Sequence, residues 1–336
     1  MIRQFHSADL QSRNSFRVRQ RAARLVEFET TADLAELFAD GVPDRWMVLG
    51  GGNNILFTRD YDGVLLHPVA RGVEILADDG TNVTVRAEAG ADWDELVAWT
   101  VERGLWGIEN LSAIPGTAGA APVQNIGAYG CEAGDAIERV EMFCVESGAL
   151  LTLDRGHCDF GYRDSIFKRT LKGQVIITAI RLRLSRTPNP RLGYGDVERE
   201  VEALGGATLA NIRAAICAIR RAKLPDPAVT GNAGSFFKNP VVDEAVAAIL
   251  RADYPAMPCY PAPEPGKVKL AAGWLIDQAG MKGYTQGRAG VHDRQALVLV
   301  NRGGATGAEV LALARTVQER VKARFGIDID TEVNIL

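Results

Sequence analysis

From Ile114 to Gly130 the chain reads Ile-Pro-Gly-Thr-Ala-Gly-Ala-Ala-Pro-Val-Gln-Asn-Ile-Gly-Ala-Tyr-Gly, a stretch with few side chains large enough to fill a core. Such a stretch makes its contacts through the backbone, because glycine lets a chain turn sharply or approach a ligand with no Cβ in the way. Thr117, Gln124 and Asn125 place hydrogen-bonding groups in its midst. A second stretch of this kind follows a short apolar strand, where Trp46-Met-Val-Leu49 runs into Gly50, Gly51, Gly52, Asn53 and Asn54. Its glycines would let backbone N–H groups face a phosphate. Position 55 is Ile where a dinucleotide-binding GxGxxG needs glycine, so a Rossmann reading is poor. One glycine-rich loop alone reads equally well as a structural turn. Two in the same half of the chain favour a single large, flat, phosphate-bearing ligand there.

The rest of the composition sets limits. The 336 residues suffice for two domains at roughly 150 each, and 47% hydrophobic with 24% charged residues is globular. A net charge of −4 gives no electrostatic reason to expect nucleic acid, though local Arg and Lys can hold a small anion. No apolar run approaches the ~18 residues of a membrane helix. The five cysteines are scattered without a CxxC pair and read as reduced thiols of a cytoplasmic protein. The four histidines lack HExxH spacing, so no metal is expected. The N-terminus is Arg-rich from Arg3 to Arg24, which faintly imitates a transit peptide. The plainer reading is a solvated leader before the first strand.

Periodicity predicts an α+β chain. Val83, Val85, Ala87 and Ala89 alternate as in a half-buried strand, as do Val140, Met142 and Cys144, and Ile180, Leu182 and Leu184. Asp92-x-x-Glu95 reads as a capping box opening a helix that Gly104 closes. Residues 185–208 are punctuated by proline and glycine, and mark a boundary. Beyond it, helical periodicity runs over 209–223, 244–252, 270–278 and 308–325, with a strand at 296–300. The predicted organisation is a first domain over 14–186, a linker over 187–207 and a second, smaller α+β domain over 208–336.

Three further groups could carry chemistry. Phe160-Gly-Tyr162-Arg163-Asp-Ser-Ile-Phe-Lys168 offers a guanidinium able to clamp a carboxylate, or an ordinary surface salt bridge. Gly231-Asn-Ala-Gly-Ser235-Phe-Phe-Lys-Asn239-Pro240 holds a hydroxyl on a tight turn against apolar surface, fit for a proton donor or for a helix cap. No G-x-S-x-G elbow surrounds it, which counts against a hydrolase. Glu332 lies in a C-terminal strand, and an outward-facing Glu there needs no functional account.

Taken in order, the Gly50 loop, the 114–130 loop, Tyr162-Arg-Asp-Ser-x-Phe-Lys168 and the Gly231–Pro240 segment resemble the UDP-N-acetylenolpyruvoylglucosamine reductases. The resemblance runs from Asn14 to Glu332 and points to the longer subtype, whose Tyr-bearing loop would be Gly193-Tyr194-Gly195-Asp196. It implies an FAD-binding domain of the vanillyl-alcohol-oxidase/p-cresol-methylhydroxylase type, followed by a smaller substrate domain. The implied reaction is NADPH-dependent, FAD-mediated reduction of UDP-N-acetylglucosamine-enolpyruvate to UDP-N-acetylmuramate. That step serves peptidoglycan synthesis, and through it cell-wall biogenesis, cell shape and division; a monomer is expected. Two departures stand out: Asn53 where the family has Ser, and Ala120-Ala121 where it has Gly-Gly. Neither touches the implied chemistry.

By the same resemblance, Arg163 would stabilise the enolate-like charge that develops beside the substrate carboxylate. Glu332 would polarise the site, and Ser235 would protonate the carbon. Non-covalent FAD would lie against Leu49 to Asn54, Ile114, Pro115, Gly116, Thr117, Gln124, Asn125, Gly127, Ala128, Tyr162 and Arg220. Tyr194 would close over the sugar nucleotide, with Lys223, Asn239 and Gln295 as further substrate contacts. Two rivals remain. One is another FAD-dependent oxidoreductase of this fold with covalent flavin, although the Gly50 loop has neither His nor Cys. The other is a flavin-free UDP-sugar-binding regulator.

Overall fold

A computed structural model describes residues 2–262 and 264–336, which divide into two compact units. The first contains the N-terminal strand through Ala8, then Ala22–Gly51 and Asp62–Ala222. The second contains Asp9–Arg21, Gly52–Tyr61 and Lys223–Leu336. Both units are therefore discontinuous in sequence. The helix Leu209–Lys223, read from sequence as the start of the second domain, lies in the first unit through Ala222.

In the first unit, strands Leu150–Asp154, Ile137–Cys144, Val175–Ser185, Asn82–Glu88 and Val73–Asp78 form an antiparallel sheet in that order. Alternation sends Val83, Val85, Ala87, Ile180, Leu182 and Leu184 to one face, where they pack with Trp93, Leu96 and Val97 of helix Trp93–Glu102. Each fully buried side chain of this size contributes about 1.5–3 kcal/mol. Asp92 caps that helix by accepting from the Glu95 N–H, and Gly104, at φ +70°, follows its end. A four-stranded sheet orders Arg3–Asp9, Arg21–Phe28, Tyr61–Pro68 and Trp46–Val48, the last two parallel.

The Arg-rich N-terminus is thus no solvated leader. It supplies two strands, and in the turn between them Phe16 and Val18 are fully buried. Asn14 holds that turn by donating to the carbonyls of Leu10 and Val18. Charge misled the reading, because arginines on the solvated face of a strand do not prevent it from pairing. Segment 187–207 likewise has structure of its own. Val197 and Val201 of helix Val197–Ala203 are buried with Trp106, Ile212 and Ile216.

In the second unit, Gly231–Ser235, Val298–Asn301, Ala289–Val291 and Thr285–Gln286 form one sheet, and Val241–Asp243, Lys267–Leu270 and Cys259–Pro261 another. Helix Gly307–Phe325 covers the first of these, opened by the Thr306/Glu309 capping box and ended by Gly326 at φ +68°. Asn334–Ile335 pairs in parallel with Ile55–Leu56, joining the C-terminal segment of this unit to its 52–61 segment. Among the described residues no helix is long and apolar enough to cross a membrane.

Candidate active site

Within the first unit the two glycine-lined loops meet. Leu49 is buried, its N–H donates to Leu66 O at 2.8 Å, and its carbonyl accepts from His67 Nδ1 at 2.7 Å. This fixes the entry to the Gly50 loop. A Cβ on Gly50 would lie 2.8 Å from Thr117 Oγ1, so only glycine lets the first loop pass that close to the second. The Thr117 hydroxyl is buried and has no hydrogen-bond partner. A buried hydroxyl left unpaired costs about 1–3 kcal/mol, so this site fits a polar ligand atom. The second loop is held from behind, with Ala118 N donating to Ala91 O at 2.8 Å and Gly119 N to Ala89 O at 2.9 Å. Its start is tied by Trp93 N to Gly116 O at 3.1 Å, leaving Pro115 exposed and Ile114 half-buried.

Farther along, the same loop becomes a hairpin in which Gly127–Ala128 pairs with Cys131–Glu132. Its two central residues, Tyr129 and Gly130, have φ of +50° and +78°, as a tight primed turn requires. Arg163 reaches this hairpin, donating from Nη2 to Gly127 O at 2.9 Å, with its guanidinium 5.4 Å from the Tyr162 ring centroid. Gly161 and Asp164 close a two-residue turn whose tip is Tyr162 and Arg163, the latter at φ +55°. Lys168 Nζ donates to Arg163 O at 3.1 Å. Asn125 is buried, and its amide is engaged by the protein. It donates to Glu132 Oε2 at 2.6 Å and Gly161 O at 3.0 Å and accepts from Gly134 N at 2.8 Å. Its side chain thus ties the hairpin to the Arg163 turn. Gln124 and Ala128 are half-buried on the same loop.

Arg220 comes to this hairpin from helix Leu209–Lys223, donating from Nε to Ala113 O at 3.1 Å and hydrogen-bonding Tyr129. Burial pulls its guanidinium below the ordinary value, opposed by Tyr129. Burial also raises the Tyr129 hydroxyl, opposed by Arg220. Tyr194, 47% exposed, meets Tyr129 edge to face with centroids 6.0 Å apart. The Asn110 amide holds both neighbours, donating to Tyr129 O at 3.0 Å and Arg191 O at 2.8 Å. Tyr129 and Asn110 were not singled out from sequence. Tyr129 stood inside the 114–130 loop, and its bulk amid small residues was the available signal.

The second unit brings together a different set. Ser235 ends strand Gly231–Ser235, opposite Val298. The next residue, Phe236, accepts from Glu332 N at 2.8 Å, which sets Glu332 beside the serine strand; Glu332 itself lies in a bend before the short strand Asn334–Ile335, not in the C-terminal strand expected from sequence. Asn54 joins them, donating from Nδ2 to Glu332 O at 3.2 Å; Gly52 and Asn53 precede it. Ser235 caps no helix: it ends a strand whose pairing is interrupted after Asn232, with Gly234 at φ +68°. Asn239 and Gln295 both lie at the start of helix Ala272–Gln278. Asn239 Oδ1 accepts from Ala272 N at 3.0 Å, and Gln295 Oε1 lies 3.2 Å from the place a Cβ on Gly273 would take. Lys223 is exposed, and Gly51 is the exposed tip of its loop in the first unit.

Comparison with known proteins agrees with this architecture. Residues 22–154 match the FAD binding domain family, and residues 226–336 match the UDP-N-acetylenolpyruvoylglucosamine reductase C-terminal domain. A UDP-N-acetylenolpyruvoylglucosamine reductase from Chromobacterium violaceum is 49% identical, over 100% of both chains. One from Pseudomonas aeruginosa is 48% identical over 96% of both. In structure, the UDP-N-acetylenolpyruvylglucosamine reductase of Thermus caldophilus superposes with TM-score 0.68 over 100% of this chain and 98% of its own. At 24% identity that match speaks to the fold alone, a mixed arrangement of helices and strands. Identity near one half across the whole length decides the matter, and the chain belongs to the UDP-N-acetylenolpyruvoylglucosamine reductase family.

Proposed function

We propose that this chain is a cytoplasmic, monomeric flavoenzyme that uses NADPH and non-covalent FAD to reduce UDP-N-acetylglucosamine-enolpyruvate to UDP-N-acetylmuramate, a peptidoglycan precursor. The observation that carries this is the meeting of the Gly50 and Thr117 loops. A backbone cradle with a partnerless buried hydroxyl suits a phosphate-bearing cofactor, in a chain that belongs to this family. When bound there, FAD would accept hydride from NADPH and pass it on to the enolpyruvyl double bond.

The protein's own contribution is binding, charge and a proton. Gly50, Gly51, Gly116 and Thr117 would hold the cofactor's phosphates through backbone N–H groups and one hydroxyl. Tyr162 and Arg220 would flank it. Arg163 offers a planar fork of donors suited to a carboxylate, and its strained turn fixes where the fork points. Negative charge developing on that carboxylate during reduction is what a preorganised guanidinium stabilises most. Ser235 would then donate the proton; a serine hydroxyl is a weak acid, but its partner would be a far stronger base. Glu332, one hydrogen-bonded backbone step from Phe236, would polarise that hydroxyl. Tyr194, exposed and resting on Tyr129, would fold over the sugar nucleotide and exclude water. Lys223, Asn239 and Gln295 would contact the diphosphate and sugar.

The test is an absorbance spectrum of the purified protein, then anaerobic addition of NADPH and of the enolpyruvyl substrate. A flavin spectrum that bleaches with NADPH and returns with substrate supports the reading. A chain that never takes up FAD favours a flavin-free sugar-nucleotide binder. Yellow colour that survives acid denaturation favours a covalent flavoenzyme of the same fold.

A further inference from the structure

Ala113 has no chemistry of its own, yet both of its backbone polar groups are held by charged side chains. Its φ is +57°, in the left-handed region that an L-residue with a Cβ adopts only when its surroundings impose it. Its N–H donates to Asp94 Oδ1 at 2.5 Å, and its carbonyl accepts from Arg220 Nε at 3.1 Å. Asp94 is in turn gripped by the Arg213 fork, Nη1 to Oδ1 at 2.5 Å and Nη2 to Oδ2 at 3.0 Å. Arg213 and Arg220 are two turns apart on helix Leu209–Lys223, so one helix face controls both sides of Ala113. Burial raises the Asp94 carboxyl, but the bonds from Arg213 and the Ala113 amide outweigh it and keep the group below its ordinary value, hence charged at neutral pH. The residues that follow are Ile114, Pro115, Gly116 and Thr117, the start of the flavin loop.

We propose that Asp94 and Arg213 are positioning residues for the flavin: they impose the left-handed conformation on Ala113 and thereby aim the Gly116–Thr117 backbone and the Thr117 hydroxyl at the cofactor. This rests on the flavin-binding reading above. Both lie outside the residues proposed above to hold the cofactor, and the pair is partly exposed, with side chains 22% and 34% accessible. An ion pair so placed adds little to global stability. Its effect should therefore appear in cofactor affinity, while the fold stays intact.

The experiment titrates FAD into apoprotein, followed by flavin fluorescence, alongside melting of the same apoprotein. Asp94→Asn is expected to weaken FAD binding about 10-fold, the scale of one imposed left-handed residue. The apoprotein melting temperature should stay within about 2 °C of the parent, as for a partly exposed pair. Adding Ala113→Gly to Asp94→Asn should restore affinity to within about threefold, because glycine takes this φ without the clamp. Should Asp94→Asn fail to fold, Arg213→Lys carries the same expectations, since it keeps charge and loses the fork. Unchanged affinity in the single variant overturns the proposal, and so does a loss that Ala113→Gly leaves unrestored. A parent chain that binds no FAD overturns the flavin reading beneath it. That outcome is distinct from parent binding that Asp94→Asn leaves untouched.

Discussion

The first unit holds Ser7, Ala113, Asn125, Tyr129, Asp159 and Arg163 at positive φ, while the second holds only Arg17 among the described non-glycine residues. Three of the six belong to the loops proposed to face the cofactor or substrate and a fourth, Ala113, immediately precedes one, whereas Ser235 ends a strand and Glu332 lies in a bend held by its N–H to Phe236 O. The first unit works through backbone shape, which must be forced and then held. The second offers a serine and a glutamate side chain, with the left-handed turn beside the serine taken by Gly234, which adopts it without strain. Even the glycines differ. Gly50 clears space beside a partnerless hydroxyl, while Gly231 clears space for the protein itself, since a Cβ there would lie 2.3 Å from Phe16 O.

That contrast can be broken experimentally. The largest effect is expected at Ser235. Ser235→Ala should slow reoxidation of the reduced protein by enolpyruvyl substrate by about 10²-fold or more, the usual weight of general acid catalysis, with the NADPH half-reaction unchanged. Stopped-flow absorbance separates the two, and equal losses in both would remove the proton-donor role. Next comes Arg163→Lys, where charge survives and the planar fork is lost. Turnover should fall about 10-fold, the worth of one charge-assisted hydrogen bond. Parent-like kcat and KM would show that the strained turn at Tyr162–Arg163 serves structure alone.

Gly231→Ala should leave flavin content unchanged but destabilise the protein by about 1–3 kcal/mol, as overpacking does, read from urea unfolding. Loss of flavin with unchanged stability would erase the distinction between the units. The smallest effect is expected at Asp33, which caps helix Thr31–Phe38. Burial raises its carboxyl, but the backbone N–H groups of Glu29 and Thr30 outweigh this and lower it from 3.8 to about 2. A depressed folded value means that the capping contribution is present above ~3.8 and lost as pH falls toward 2. Melting of Asp33→Asn should thus differ from the parent at pH 5 and converge with it near pH 2. A difference that persists into acid would show that charge is not the cause.

Local signals read well where the cause was local. Asp92 and Glu95 marked a helix start, Gly104 its end, and alternating Val83, Val85 and Ala87 a sheet face, because capping and alternation depend on residues a few positions apart. The N-terminal strands were missed because Arg3 to Arg24 looked too charged to pair, although the apolar Phe16 and Val18, buried in the connection between them, were in view. The return of residues 9–21 and 52–61 to the second unit was invisible, since their partners lie hundreds of residues away. Asn125 shows the same limit. Its residue type promised a ligand contact, and the fold gives its amide to Glu132, Gly161 and Gly134.

By itself, the sequence determined where the backbone is free to bend and which polar groups exist: the glycines at 50–52 and 116–130, a serine between small residues and phenylalanines, and an arginine beside a tyrosine. Those are properties of single residues and short spans, fixed by covalent structure. Tertiary structure decided which of these groups meet. Arg220 reaches Ala113 across 107 positions and Arg213 reaches Asp94 across 119, and the left-handed loop they hold exists only once the helix has packed. No local spacing encodes such encounters, because closing a chain over that distance is an entropic cost that only the whole packed unit can offset.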